Sequence, residues 1–174
     1  PEPRLLELGF KTLIAYLLGS VSFAVVVSRL FALPDPRSYG SRNPGATNVL
    51  RTGRKAAAAL TLLGDGGKGW LAVFAAAQAT GQGVLSGADV PLAALAVVVG
   101  HMFPVFHRFQ GGKGVDTAGG ALLALTLPPL APWWSAFIGG GFAILLGKTI
   151  FGGLGYNLFN PAMIGRAFMI PPGG

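Results

Sequence analysis

Apolar residues in this chain gather in long blocks. They show neither the strict alternation of a half-buried strand nor the one-sided stripe of a soluble helix. The blocks cover about residues 9–33, 56–80, 91–109, 115–134 and 136–151. A helix that crosses a bilayer needs about 20 consecutive apolar residues. The last block falls short of that and opens on Gly139-Gly140-Gly141. The pattern predicts an all-α fold: a polytopic transmembrane helix bundle of about five spans. The first block exceeds the apolar region of a cleaved signal peptide and no small-x-small site follows it, so it reads as a span.

Composition sharpens this picture. The 174 residues are 52% hydrophobic and 11% charged, against about 25% charged in soluble domains. There is no cysteine, which excludes disulfides, thiolate metal sites and thiol catalysis and leaves the redox compartment undecided. A net charge of +7 would suggest nucleic acid in a soluble protein. In a membrane protein it reflects basic cytoplasmic loops beside anionic lipid, so no nucleic-acid partner is expected. The loop after the first block carries Arg37, Arg42, Arg51, Arg54 and Lys55 against Asp35, a net of +4. The next loop carries only Asp89, the third Arg108 and Lys113, and the fourth, residues 128–132, no charge. By the positive-inside rule the N-terminus is outside, and loops 34–55 and 110–114 share the cytoplasmic face. Trp133 and Trp134 then fall at the outer interface.

The first of those loops reads Tyr39-Gly-Ser-Arg-Asn-Pro-Gly-Ala-Thr-Asn-Val-Leu-Arg51. Ser41, Asn43, Thr47 and Asn48 are neutral hydrogen-bonding groups, and Arg51 offers a planar fork suited to two phosphate oxygens. Gly40 and Gly45 permit close backbone approach, and Pro44 pushes Asn43 out of the helical region, so a turn is expected there. The residues that follow read as the start of a helix whose N–H groups face an anion; an ordinary polar turn fits the same composition. The second loop, Phe109-Gln-Gly-Gly-Lys-Gly-Val-Asp-Thr117, sets Lys113 among Gly111, Gly112 and Gly114, a pattern that suits an anion-binding nest and equally a plain flexible turn. It is not a nucleotide P-loop, because Gly114 follows Lys113 where Ser or Thr is needed. Residues 141–149 have one residue too many for that motif.

Asp65 and Lys68 lie inside the second block, three apart, so they share a helix face and can pair. An intramembrane charge is costly, about 2.5–3.5 kcal/mol at least, and marks a functional site or a structural ion pair. Gly66-Gly67-Lys68-Gly69 echoes Gly111-Gly112-Lys113-Gly114. His101, late in the third block, is a candidate general base or a residue tied to helix backbone near Pro104; His107 reads as interfacial.

Residues of about 13–127 resemble the bacterial membrane glycerol-3-phosphate acyltransferases that use acyl phosphate. The resemblance rests on Gly19-Ser20, residues 39–51, 62–69, 100–106 and 111–117. It implies transfer of an acyl group from acyl phosphate to the 1-hydroxyl of glycerol 3-phosphate, giving lysophosphatidic acid. The setting implied is the bacterial inner membrane, crossed several times, with the site loops cytoplasmic. It implies no metal and no organic cofactor. The catalytic candidates are then Ser41, Arg51, Lys113 and His101. The substrate-binding candidates are Asn43, Gly45, Thr47, Asn48, Lys68, Gly111, Gly112, Gly114 and Thr117.

Three departures stand out. Arg42 occupies a position where the family often has Gly. Asp116 replaces a usual Ala and adds negative charge beside the glycine loop. Nothing after Pro128 resembles the family's C-terminal motif with its His, Asn and Glu. Residues 137–170, with Gly147-Lys148, residues 151–163 and Gly165-Arg166-Ala167-Phe168, instead resemble the membrane flavin protein of Rnf electron-transport complexes and its sodium-pumping quinone reductase relatives. That family's Ser/Thr-Gly-Ala-Thr flavin-attachment motif is absent, so flavin mononucleotide is not expected. The chain reads as an acyltransferase-like domain, 1–134, joined to an electron-transport-like segment, 135–174. A membrane electron-transport protein of the Rnf type and a non-catalytic anion- or lipid-binding protein are the alternatives.

Overall fold

The computed structural model describes residues 2–80 and 89–126. All regular elements among them are helical. They are α1 (Glu2–Gly19), α2 (Phe23–Leu30), α3 (Ala46–Leu50), α4 (Lys55–Thr80), α5 (Asp89–Met102), a 3-10 turn (Val105–His107) and α6 (Val115–Thr126). The chain divides into two compact units, Pro1–Ala121 and Leu122–Gly174, and every site feature below lies in the first. The end of the fourth expected span, the whole fifth span, the Trp133–Trp134 pair and the segment 135–174 lie outside the described residues.

The second and third apolar blocks are helical, as α4 and α5. Arg4–Leu30 and Asp89–His107 are long and apolar enough to cross a membrane. α4, at 26 residues, is about 39 Å long at 1.5 Å per residue, long enough to cross but less apolar than those two. The first block departs from a single uninterrupted helix: it breaks at Ser20-Val21-Ser22. The Ser20 hydroxyl bonds back to Tyr16 O at 2.9 Å, and Ser22 caps α2 in an extended conformation. The break releases backbone carbonyls that apolar surroundings cannot satisfy.

Small residues let the helices approach closely, the usual device where apolar burial offers little drive between helices in lipid. A Cβ on Gly19 would collide with Val97 O, and one on Gly100 with Tyr16 O. With Lys11 bonded to Asp89 at 3.0 Å and Tyr16 Oη to Phe103 O at 2.7 Å, α1 and α5 run side by side in the same direction. α4 runs against both. Its Gly64 takes the Phe23 ring, while Ala57 and Ala58 near its start pack with Ala24, Val27 and Val49. Further along α4, a Cβ on Gly69 would collide with Thr117 O. The end of α2 thus packs at the start of α4, while the end of α5 and the start of α6 meet α4 near its middle, at Lys68 and Gly69. The start of α1 lies away from these contacts.

Candidate functional site

Two loops meet beside the end of α5. The first, 34–54, is stitched by its own side chains. Arg37 grips Asp35 with two nitrogens, Nε–Oδ1 at 2.9 Å and Nη2–Oδ2 at 2.6 Å. That guanidinium holds the Asp35 carboxyl at about 2, below the usual carboxylate range. Asn48, fully buried, accepts from Ser41 N at 3.1 Å and donates to Pro36 O at 2.6 Å and Tyr39 O at 3.1 Å. A Cβ on Gly40 would collide with Asn48 Oδ1, so Gly40, at φ +56°, is required to be glycine on both counts. Asn48 therefore shapes the loop, and both its amide protons are taken. Arg42 also sits at positive φ, +56°, which explains in backbone terms why glycine suits that position. Around buried Pro44, Gly45 N–H donates to Asn43 O at 3.0 Å, the expected turn. The short α3 follows and delivers Arg51 to the surface. Ser41 and Thr47 are exposed and Asn43 is half-buried.

The second loop, 110–114, hangs from the end of α5. Gly112 N–H donates to His101 O at 3.1 Å. A Cβ on Gly111 would collide with His101 O, and one on Gly112 would collide with His101 Nε2 and lie 2.9 Å from Pro44 O. Gly112 is thus the point where the two loops touch, with the His101 ring edge beside it. Gly114, at φ +75°, turns the chain into α6, and Lys113 is exposed. Among the described residues, neither Arg51 nor Lys113 makes a side-chain hydrogen bond or ion pair. The loops expected to share one face do meet.

Beneath them lies a buried charged cluster. Lys68 Nζ stands 2.8 Å from Asp65 Oδ1, 2.8 Å from His101 Nδ1, 2.9 Å from Gly19 O and 2.6 Å from Val21 O. The two carbonyls are those released where α1 breaks. Asp65 Oδ1 also accepts from Phe23 N at 3.4 Å, while its Oδ2 is buried without a hydrogen-bond partner. Lys68 is a substrate-binding candidate by sequence, but Asp65 Oδ1 and the two carbonyls already suffice for its three protons. Thr117 is also fully buried, at the α4–α6 contact, its hydroxyl without a hydrogen-bond partner. Of the candidates, the structure brings together Asn43, Gly45, Gly111, Gly112, Gly114 and His101 around the loop contact. Ser41, Thr47, Arg51 and Lys113 project from the same two loops. The link from Lys68 to His101 and to the α1 break is not evident in the sequence; Gly19-Ser20 inside an apolar block is its only signal there.

Comparison with known proteins is consistent with this layout. The sequence model of the glycerol-3-phosphate acyltransferases matches residues 10–166. It therefore spans most of the tail that resembles an electron-transport protein, and that alternative gains no support. A glycerol-3-phosphate acyltransferase of Cupriavidus taiwanensis is 64% identical over 125 residues, 70% of this chain and 62% of the relative. One of Nitrosomonas europaea is 65% identical over 119 residues, 68% of this chain and 57% of the relative. The chain thus spans about three-fifths of the curated relatives it matches. Two crystal structures of the integral membrane glycerol 3-phosphate acyltransferase PlsY are similar. Its glycerol 3-phosphate form has TM-score 0.64 and 30% identity, covering 94% of this chain and 88% of that one. Its lysophosphatidic acid form has TM-score 0.62 and 34% identity, covering 82% of this chain and 66% of that one. Apolar helices and integral-membrane neighbours together make this chain a membrane protein.

Proposed function

Because the chain belongs to the glycerol-3-phosphate acyltransferase family, we propose that it transfers an acyl group from acyl phosphate to the 1-hydroxyl of glycerol 3-phosphate, giving lysophosphatidic acid. The observation that carries this reading is the contact of Gly112 with Pro44 and His101, which unites two loops that each bear an unpaired cation. Both substrates carry phosphate, and acyl phosphate brings its own leaving group. The hydroxyl oxygen adds to the acyl carbonyl, the bond from that carbon to the phosphate oxygen breaks, and the hydroxyl proton ends on phosphate or water. The protein's task is to hold two anions together and aim the hydroxyl, which is positioning and charge neutralisation.

Arg51 and Lys113 are the phosphate-gripping cations in this scheme, with Ser41, Asn43 and Thr47 orienting the bound oxygens and the glycine loop supplying backbone N–H groups. Asn48 fixes the loop that presents them. Apolar helix faces take the acyl chain. The scheme needs neither metal nor organic cofactor. The loops face the cytoplasm of the inner membrane, with the N-terminus outside and about five spans in all; the basic charge of loop 34–55 favours this orientation.

The test is product formation by the full chain in phospholipid vesicles supplied with palmitoyl phosphate and glycerol 3-phosphate. Lysophosphatidic acid and phosphate should appear in equal amounts. Phosphate-dependent thermal stabilisation without product would reduce the protein to an anion binder.

A further inference from the structure

The mechanism above leaves the buried Asp65–Lys68 pair without a task. Lys68 Nζ is a donor only. Gly19 O, Val21 O and Asp65 Oδ1 lie at 2.9, 2.6 and 2.8 Å, and all three are acceptors, so the ammonium must donate to them. The fourth neighbour, His101 Nδ1 at 2.8 Å, faces an ammonium with no lone pair, so it can only accept, sharing one of the three protons. A protonated Nδ1 would set N–H against N–H. The weaker alternative, Nδ1–H donating to Asp65 Oδ1, would act across 3.5 Å. With Nδ1 bare, the ring's proton sits on Nε2. Nε2 is the edge that lies against Gly112 at the meeting point of the loops.

We propose that Lys68, held by Asp65, is a positioning residue that fixes His101 as the Nε2–H tautomer, so that His101 presents a hydrogen-bond donor, not a base, to the meeting point of the two loops. The same ammonium ties the broken end of α1 to this ring. His101 is thereby anchored on one side by Lys68, while its own carbonyl holds Gly112 N–H at 3.1 Å. Both the ring and the glycine loop hang from one residue whose rotamer the buried charge sets. Second-sphere partners of this kind fix tautomer and ring orientation at metal sites by the same logic.

The deciding measurement is the nitrogen-15 resonances of the imidazoles in the full chain, labelled at histidine and reconstituted in lipid. The chain has two histidines, and a His107→Gln protein assigns them. A bare Nδ1 and a protonated Nε2 at His101 are expected; a protonated Nδ1 overturns the proposal. The second arm replaces both charges, Asp65→Asn with Lys68→Met, so that no unpaired buried ion remains. Loss of the single tautomer is expected, and retention of it would show that Lys68 does not set it. The third arm rests on the acyltransferase reading: in the same double variant the KM for glycerol 3-phosphate should rise on the order of tenfold, with that for acyl phosphate within about twofold. Equal changes in both would assign the pair a merely structural role. A wild-type chain that forms no product removes the acyltransferase reading and leaves the tautomer result standing by itself.

Discussion

Gly66-Gly67-Lys68-Gly69 and Gly111-Gly112-Lys113-Gly114 are the same four residue types in the same order, and they end in opposite environments. In the first, the tetrapeptide sits within α4. Its Gly69 makes room for Thr117 O, and its lysine is buried among Asp65, His101 and two backbone carbonyls. In the second, the tetrapeptide is a loop at the end of a helix. Its Gly111 and Gly112 make room for His101 and Pro44, and its lysine is exposed and unpaired among the described residues. Glycine serves close approach in both. The lysines differ because only one has neighbours that consume its protons. A charge that is already satisfied builds the scaffold; a charge left over is available to a ligand.

The contrast breaks most sharply at the lysines. Lys68→Met alone strands Asp65 as a buried unpaired carboxylate and should lower stability by about 3–5 kcal/mol, read as the loss of folded protein on heating. Adding Asp65→Asn should recover most of that. Lys113→Ala should do the reverse: turnover of glycerol 3-phosphate falls by about 10²–10³, while thermal stability moves by less than about 0.5 kcal/mol. If Lys113→Ala unfolds the protein, or Lys68→Met leaves it stable, the assignment of roles is backwards.

Gly112→Ala tests the contact that joins the loops. Its new methyl meets His101 Nε2 and Pro44 O, and overpacking of this kind costs about 1–3 kcal/mol; the KM for glycerol 3-phosphate should rise with it, whereas Gly67→Ala, with no atom near its Cβ position, should change neither. A smaller effect concerns pH. The Asp35 carboxyl is held at about 2 by Arg37, below its unfolded value of about 3.9. Its contribution is therefore full above about pH 4 and lost as pH falls towards 2. Hydrogen exchange of residues 35–39 should quicken across that window, and Asp35→Asn should abolish the pH step. The smallest effect is Arg42→Gly, which relieves a left-handed arginine and should stabilise by up to about 1 kcal/mol, read from the thermal midpoint.

Much of the described scaffold was legible in the sequence, because the apolar blocks of α4 and α5 record their helices directly. The break at Ser20-Val21-Ser22 was not. Hydropathy cannot show where a helix lets go of its carbonyls, and the residue that satisfies them is 47 positions away in sequence. The loops were legible as a pair, since glycine, lysine and arginine in a polar run have few uses at the face of a membrane. What each polar side chain does within them was less so. Asn48 reads like a ligand group because a carboxamide looks the same in sequence whether it binds a substrate or three backbone atoms. Lys68 misleads for the same reason, as its partners come from α1, the α1–α2 break and α5.

The most direct test asks whether the loops act as one site. Hydrogen exchange of the full chain in lipid nanodiscs should show glycerol 3-phosphate protecting residues 40–51 and 111–114 together, over one concentration range, with both effects lost in Lys113→Ala. Protection of one loop without the other, or of neither, would contradict the account.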